Sequence, residues 1–464
     1  MSASAHFLEA AAAILDKKHL LTDPKETAPY AIDWRRRYRG APVAVAEPAT
    51  TAEVSALMAL CRTHRVPVVP QGGNTGLVGG ATPDDSGREL VLSTRRLNRV
   101  RSVDIDNNTI TVEAGMKLAE IQQIAHDAGR LFPLSLASEG SCQIGGNLST
   151  NAGGLAVLRY GNMRELTLGL EVVLPDGRTL DVLHGLRKNN SGYDLKHWFI
   201  GAEGTLGIIT AATLRLFPLP TAQATACIEV ASPLEAVRLL RDLEDAFGDR
   251  LTAFELISGT CMALVAEHFP DLLIPFHAPW LVLLELSDGG ADEVLQHALL
   301  DWLEKNPPQG EAVLAKQGRE RTGLWAVREA ISEAQTREGP SIKHDIALPV
   351  SSLPAFIETA NNALRAEFHR CRVVVFGHLG DGNLHYNVSR TRGEENPLLD
   401  EARVNEIVYD TALAFGGTLS AEHGIGQLRR HWLEHYRDPL SMELMRGLKR
   451  MLDPDHLMNP GKLL

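Results

Sequence analysis

Two histidines, His378 and His385, bracket the turn in Val373-Val-Val-Phe-Gly-His-Leu-Gly-Asp-Gly-Asn-Leu-His-Tyr-Asn-Val388. Apolar β-like runs lead in and out, and Gly380-Asp381-Gly382-Asn383 is strong turn chemistry. A four-residue loop there pairs Leu379 with Leu384 and sets His378 directly across from His385. Opposed residues of an antiparallel pair lie ~4.5–5.5 Å apart at Cα, close enough for two imidazoles to share one divalent cation. Taken alone, the same two residues read first as a satisfied cross-strand pair. Further along, Ser420-Ala-Glu-His-Gly-Ile-Gly426 places Glu422 beside His423 in a glycine-framed turn. His378, His385 and Glu422 then form a two-histidine, one-carboxylate set with no fourth protein ligand evident, the pattern of an open metal site. Nitrogen and oxygen donors suit Zn²⁺, with Mn²⁺ and Fe²⁺ as alternatives.

These residues need a scaffold of some size, and 464 residues are too many for one core, so two or three domains are expected. The net charge of −12 and the lack of a basic stripe exclude a nucleic-acid footprint, so an anionic substrate needs local cations. Cys61, Cys142, Cys227, Cys261 and Cys371 are scattered without a CxxC pair, which implies neither disulfides nor a thiolate zinc site and suits a reducing compartment. No apolar run is long enough to cross a bilayer, and Met1 to Leu20 reads as an amphipathic helix rather than a leader. A cytoplasmic location is expected.

Glycine marks the first part of the chain, with 21 of 40 glycines between Gly72 and Gly207. Such density lets backbone approach a ligand closely. Hairpin signals fall at 101–112 and 166–183, and a helix is predicted over 117–130. After Pro218 and Pro220 the texture changes. Strand-like 224–230, 251–257, 280–287, 311–316 and 341–348 alternate with helical patterns, predicting an antiparallel sheet with helices on one face. The expected class is α+β. Domains are expected at 1–220 (with a helical lead-in over 1–37), at 221–400, and at 401–464 as a mostly helical segment completing the site.

Pro70-Gln-Gly-Gly-Asn-Thr-Gly-Leu-Val-Gly-Gly80 follows a β-like run and offers several backbone N–H groups, which suits a pyrophosphate. It lacks the GK[ST] ending of a Walker A loop, and the chain holds no GxGxxG, so an ordinary Rossmann site is disfavoured. Further on come Pro133 to Gly154, then Tyr160-Gly161, then Gly201-Ala-Glu-Gly-Thr-Leu-Gly-Ile-Ile209. This succession resembles the FAD domain of the vanillyl-alcohol oxidase / para-cresol methylhydroxylase superfamily. The resemblance implies a two-part FAD domain and a substrate (cap) domain. Gln71, Gly72, Gly73, Asn74, Thr75, Gly76 and Gly79 would hold the pyrophosphate. Ser138, Gly140, Ser141, Ile144, Gly145, Gly146, Ser149, Thr150, Asn151, Gly153 and Gly154 would line the flavin and ribityl chain. Tyr160, Glu203, Gly207, Ile208, Ile209 and Asn459 complete the cofactor contacts it implies. With no histidine in 70–81 or 133–161, the FAD is expected to be non-covalent.

In the second half, Trp325 to Ser332, Ile342-Lys343, Gly377 to Asn387, Ala421 to Gly424 and Asn459-Pro-Gly-Lys462 are similar to the FAD- and metal-dependent D-2-hydroxyacid dehydrogenases. Within that branch the similarity is to members that oxidise D-2-hydroxyglutarate to 2-oxoglutarate. D-malate is a second candidate substrate, and D-lactate or a broader range of D-2-hydroxyacids the alternative. The resemblance assigns His378, His385 and Glu422 as metal ligands, the ion chelating the 2-hydroxyl and C1 carboxylate. His423 is the expected base for the hydroxyl proton, although a Glu-His step in a tight turn can also simply bond backbone. Hydride would pass from C2 to flavin N5. Arg328, Ser332 and Lys343 would clamp the distal carboxylate, two cations favouring a dicarboxylate. Ser332 stands where threonine is common. Asn387 shares a strand face with His385, and the resemblance makes it a substrate contact, an exposed strand amide being the bland alternative. An electron-transferring flavoprotein or a quinone is the expected acceptor, oxidase activity stays open, and a homodimer is the expected assembly.

Overall fold

The computed structural model describes residues 3–390 and 400–464. They form two compact units: one holds the chain up to Gly153, Gly161–Pro218 and Glu422–Leu464, the other Gly154–Tyr160 and Leu219–Ala421.

In the first unit, Ala44–Ala46 and Val68–Gln71 run parallel to Leu90–Ser93. Val45, Val69 and Val91 are wholly buried, as parallel strands covered on both faces require. The crossover between the first two strands is the helix Thr51–His64. Thr50 caps it by accepting the Glu53 N–H, and Arg65 ends it in the left-handed region. Beyond Leu90–Ser93 comes an antiparallel five-stranded sheet, ordered Val100–Asp104, Thr109–Glu113, Ile208–Arg215, Thr167–Val173, Thr179–Val182. Both predicted hairpins are in it, and the predicted helix is Leu118–Asp127. The chain's end returns to this unit: Val68 donates to the Leu457 carbonyl and Asn459 donates to the Val68 carbonyl. Lys449 secures the return, donating to the Thr205 and Met458 carbonyls and to Asp453.

The second unit is built on a seven-stranded antiparallel sheet. Its strands are β1 (Ala222–Val230), β2 (Leu251–Ser258), β3 (Trp280–Asp288), β4 (Ala312–Leu314), β5 (Ser341–Ala347), β6 (Cys371–His378) and β7 (Asn383–Arg390). They lie in the order β4-β1-β3-β2-β6-β7-β5. All seven coincide with strand-like runs read from the sequence, β6 and β7 being the runs that lead into and out of the His378–His385 turn. Helices α1 (Gly259–His268) and α2 (Gly318–Glu338) pack on one face, where Ile257, Leu283, Val374 and Phe376 meet Cys261, Val265, Val327 and Ile331. Every residue of β2 is buried, so that strand shows no alternation at all.

Two expectations are corrected. The β6–β7 register pairs Phe376 with His385, so His378 does not face His385 directly and Leu379 does not pair with Leu384. Leu379–Asp381 instead forms a short 3-10 turn closed by Gly382 at φ 82°, with Leu379 buried. Because side chains alternate with period two, His378 still shares a face with Phe376 and hence with His385, as a diagonal neighbour. The C-terminal stretch 401–464 is not a segment of its own. Helix Glu401–Ala414, capped by Asp400, belongs to the second unit, and residues from Glu422 onward belong to the first.

The turn tolerates no side chain at Gly382, where an added Cβ would stand 2.1 Å from the Leu348 carbonyl oxygen and where φ is positive. Gly382→Ala should lower stability by about 2–4 kcal/mol. Urea unfolding followed by tryptophan fluorescence measures it, and an unchanged midpoint would contradict the tight approach.

Candidate active site

Where Val68–Gln71 ends, the first glycine loop opens one wall of a cleft in the first unit. Gln71 is buried and its side-chain amide donates to the Tyr30 and Ala81 carbonyls at 2.9 and 2.8 Å. Asn74, at φ 53°, donates to the Ile32 carbonyl at 2.9 Å. These two amides brace the loop rather than reach out of it. Among the described residues, the backbone N–H groups of 72–76 have no protein acceptor, and a row of uncommitted donors is what a pyrophosphate takes. Gly73 lies against 141, where a Cβ would stand 2.1 Å from the Ser141 carbonyl oxygen, whereas a Cβ at Gly76 would meet nothing within 4 Å.

The opposite wall is the short helix Ile144–Ser149 with Thr150. Gly145 allows it to press on Ala114, where a Cβ would come within 2.8 Å, while a Cβ on Gly146 would project into open cleft. Glu203, Gly207, Ile208, Ile209 and His423 complete the lining. The Asn147 side-chain oxygen, also at the lining, is buried without a hydrogen-bond donor. Open space beside two glycines, uncommitted N–H groups and an orphaned acceptor together fit a bound dinucleotide.

Glu203 and Asn459 shape this cleft from behind. Glu203, at φ 51°, accepts the N–H groups of Ile425 and Gly426, both at 2.7 Å. Burial pushes its carboxyl above the ordinary carboxylate range despite those two donors and Arg429. Asn459 donates to the Gly80 and Glu203 carbonyls at 2.9 and 2.8 Å. The turn that carries His423 is thereby fixed to this wall of the cleft. Of the remaining predicted residues, Gly79 packs on Tyr38 and Ile144 is core. The Ser138 carbonyl accepts the Ser141 N–H in a turn that includes Gly140, and the Asn151 side chain accepts the Arg164 N–H. Gly153 is buried in the first unit, whereas Gly154 and Tyr160 fall in the second. Thr94, Gln143 and Asn147 line the cleft without having been singled out in sequence, and Thr94 donates to the Gln143 side chain at 2.8 Å.

In the second unit, the sheet face covered by α2 gathers the charged residues. Glu255 of β2 is paired in register with His378 of β6, and Asp345 of β5 with His385 of β7. Both carboxylates are fully buried. Glu255 accepts the His378 Nδ1–H, and its second oxygen accepts Arg328 Nε–H at 2.6 Å. Burial alone would raise the Glu255 carboxyl, but Arg328 and His378 overcome it and hold it at about 2. In the neutral tautomer that donates Nδ1–H to Glu255, the lone pair of His378 is on Nε2. The two imidazole rings stand 5.9 Å apart at their centroids, and His385 lies 4.8 Å from the Phe376 ring. Asp345 comes to 4.0 Å of His385 Nδ1 and accepts the Asn383 amide at 3.1 Å and the Ser420 hydroxyl at 3.3 Å. Its carbonyl accepts the Ala421 N–H, one residue before Glu422. Imidazole and carboxylate donors of this kind fit a divalent ion of borderline hardness. Burial pushes the Cys61 and Cys227 thiols up to about 12 and the Cys261 thiol to about 11.

Arg328 is buried on α2 with its guanidinium 4.8 Å from the centre of the Phe376 ring, not solvated on a helix surface. Asn387 is buried too, donates to Gln335 at 2.9 Å, and pairs in register with Lys343. Its reading as an exposed amide fails. Ser332 is exposed, one helical turn beyond Arg328. Glu255, Asp345 and Gln335 were missed; only for Glu255 was a signal present, since an acid inside the apolar run Leu251–Ile257 must find a partner. Gly146→Val should leave the fold intact and weaken FAD retention at least about tenfold by filling the cleft. Equilibrium dialysis with flavin absorbance checks this, and unaltered retention would place the cofactor elsewhere.

Residues 42–183 match the family described as "FAD binding domain", and residues 219–463 match "FAD linked oxidases, C-terminal domain". The chain is 39% identical over 448 residues to a Bos taurus protein named D-2-hydroxyglutarate dehydrogenase, mitochondrial, covering 96% of this chain and 81% of that one. A D-2-hydroxyglutarate dehydrogenase of Xanthomonas citri pv. viticola is 38% identical, covering 96% of this chain and 94% of the other. Among solved structures, p-cresol methylhydroxylase with substrate bound superposes with a TM-score of 0.79 at 16% identity, covering 99% of this chain and 96% of that one. Alkyldihydroxyacetonephosphate synthase gives 0.73 at 20% identity, covering 98% and 84%. Fold and sequence agree: the chain belongs to the FAD-linked oxidases, in the branch of FAD-dependent D-2-hydroxyacid dehydrogenases.

Proposed function

We propose that this enzyme oxidises D-2-hydroxyglutarate to 2-oxoglutarate, with D-malate as a second substrate, using non-covalent FAD and a divalent ion held by His378, His385 and Glu422. One observation carries the reading. His378 and His385 share a sheet face, each opposite a buried carboxylate, in a chain 38–39% identical over 96% of its length to proteins named for that activity. Zn²⁺ is the ion the donor set favours, with Mn²⁺ and Fe²⁺ as alternatives. When bound, the flavin supplies a two-electron acceptor for the C2 hydrogen, and the ion supplies a Lewis acid that makes the 2-hydroxyl more acidic.

The chain's own residues do the rest. His423 takes the hydroxyl proton on a ring nitrogen; its turn is held rigid through Glu203, which favours a base that need not reorganise. Arg328 and Lys343 offer the two cations that a second carboxylate requires in a chain of net charge −12. With its Nε committed to Glu255, Arg328 presents its terminal nitrogens in a fixed direction. Asn387, anchored by Gln335, and Ser332 add polar contacts to the substrate. The absence of histidine from 70–81 and 133–161 supports a dissociable flavin. Among the described residues no helix is long and apolar enough to cross a membrane. The five free thiols suit a reducing compartment, the basis for a cytoplasmic placement. An electron-transferring flavoprotein or a quinone would reoxidise the flavin, and a homodimer is the proposed assembly.

Anaerobic stopped-flow tests the reading. D-2-hydroxyglutarate and D-malate should bleach the flavin much faster than D-lactate or the L-isomers, and His423→Asn should slow the step about 10²–10⁴-fold with FAD content unchanged. Equal bleaching by D-lactate would favour a broad D-2-hydroxyacid dehydrogenase, and undiminished bleaching in the variant would remove His423 from the base role.

A further inference from the structure

The Glu255 carboxylate touches two functional side chains at once. One oxygen accepts the His378 Nδ1–H and the other accepts Arg328 Nε–H at 2.6 Å. Its position is imposed by the fold: Glu255 is in register with His378 across β2 and β6, and Arg328 reaches down from α2 onto Phe376 of the same face. The His378 ring is nine-tenths buried, and its diagonal neighbour His385 has a separate carboxylate, Asp345, across the next strand pair. The two carboxylates are not equivalent. Asp345 is already engaged by Asn383 and Ser420 and stands 4.0 Å from its imidazole, whereas Glu255 bonds its imidazole directly.

We infer that Glu255 is a positioning residue that fixes the His378 tautomer for metal binding and, through its other oxygen, the direction of the Arg328 guanidinium, so that ion affinity and recognition of a second substrate carboxylate depend on one side chain. The inference rests on the metal and substrate reading above. A carboxylate accepting Nδ1–H obliges Nε2 to present its lone pair, which is the donor an ion needs. A glutamine in its place has one acceptor and one donor group. Directed with its oxygen at Arg328, it turns its NH₂ to His378 Nδ1 and drives the proton to Nε2, blocking the ligand atom. Directed the other way, it sets a donor against a donor at Arg328. No orientation of an amide serves both partners, and this separates Glu255 from a residue that merely fills space.

The test compares wild type, Glu255→Gln, Glu255→Asp and His378→Ala as FAD-loaded full-length proteins. Zn²⁺ affinity is read by competition with a chromogenic chelator, and KM and kcat are read for D-2-hydroxyglutarate and D-lactate. Glu255→Gln should bind Zn²⁺ about 10–100-fold more weakly, and its KM for the dicarboxylate should rise at least about tenfold while that for lactate rises less. Glu255→Asp, which keeps the charge, should recover part of both. Should Glu255→Gln fail to fold, Glu255→Leu/Arg328→Met removes the stranded cation together with the Nδ1 acceptor and should still show the weakened Zn²⁺ binding. Wild-type Zn²⁺ affinity in Glu255→Gln, or in the double variant that replaces it, alongside a loss in His378→Ala, would overturn the inference alone. No Zn²⁺ uptake by wild type, or none lost in His378→Ala, would overturn the metal reading as well.

Discussion

A carboxylate with no exposure to water is costly unless its charge is answered in place, and Glu255 is answered twice, by Arg328 and by His378. That requirement organises the functional face of the second unit. The β2–β6 register must bring Glu255 opposite His378, and α2 must lie over the sheet so that Arg328 can reach it. Removing one member of such a buried group typically costs about 3–5 kcal/mol, because the remaining charge is stranded. Arrangements that would slide β6 against β2, or lift α2, are excluded by the same term. The face is consequently stiff before any ligand arrives, as a site that must align a reacting carbon demands.

The first unit uses neutral groups to the same end. Gln71, Asn74 and Asn459 spend their side-chain donors on backbone carbonyls of neighbouring segments, so the cleft walls are set by amides that do not themselves point at the ligand. The backbone of 72–76 is what stays available, and glycine is needed at 73 because the wall at 141 leaves no room for a Cβ. Glu203 ties the turn after His423 to this wall, and Lys449 ties the chain's last helix to the Thr205 carbonyl. A segment distant in sequence thus becomes part of the scaffold of the cleft.

Much of this was legible in the chain because its punctuation is strong. Asn107-Asn108 and Pro175-Asp-Gly177 marked hairpins that are present, and the apolar runs after Pro220 marked strands of one antiparallel sheet. The parity of His378 and His385 was legible, but their register was not. A turn of Leu379–Asp381 closed by Gly382 shifts the pairing from a facing to a diagonal one, and loop length cannot be read from glycine content alone. Helix periodicity likewise left Arg328 on a nominal surface, since only tertiary packing reveals that α2 turns this face toward the sheet. Glu255 escaped although it sits alone in an apolar run, and Asp345 because it follows Lys343 and His344 in a mixed strand; each has its partner more than thirty residues away in sequence. Such pairs are legible only once strand order is known.

The claim most exposed to experiment is that oxidation requires an ion on His378, His385 and Glu422. Anaerobic single-turnover reduction of the flavin by D-2-hydroxyglutarate, followed before chelation, after chelation, and after Zn²⁺ or Mn²⁺ is returned, tests it directly. Flavin reduction should fall sharply on chelation with FAD still bound, and should recover when the ion is restored. Reduction that proceeds undiminished in the chelated protein would contradict the account.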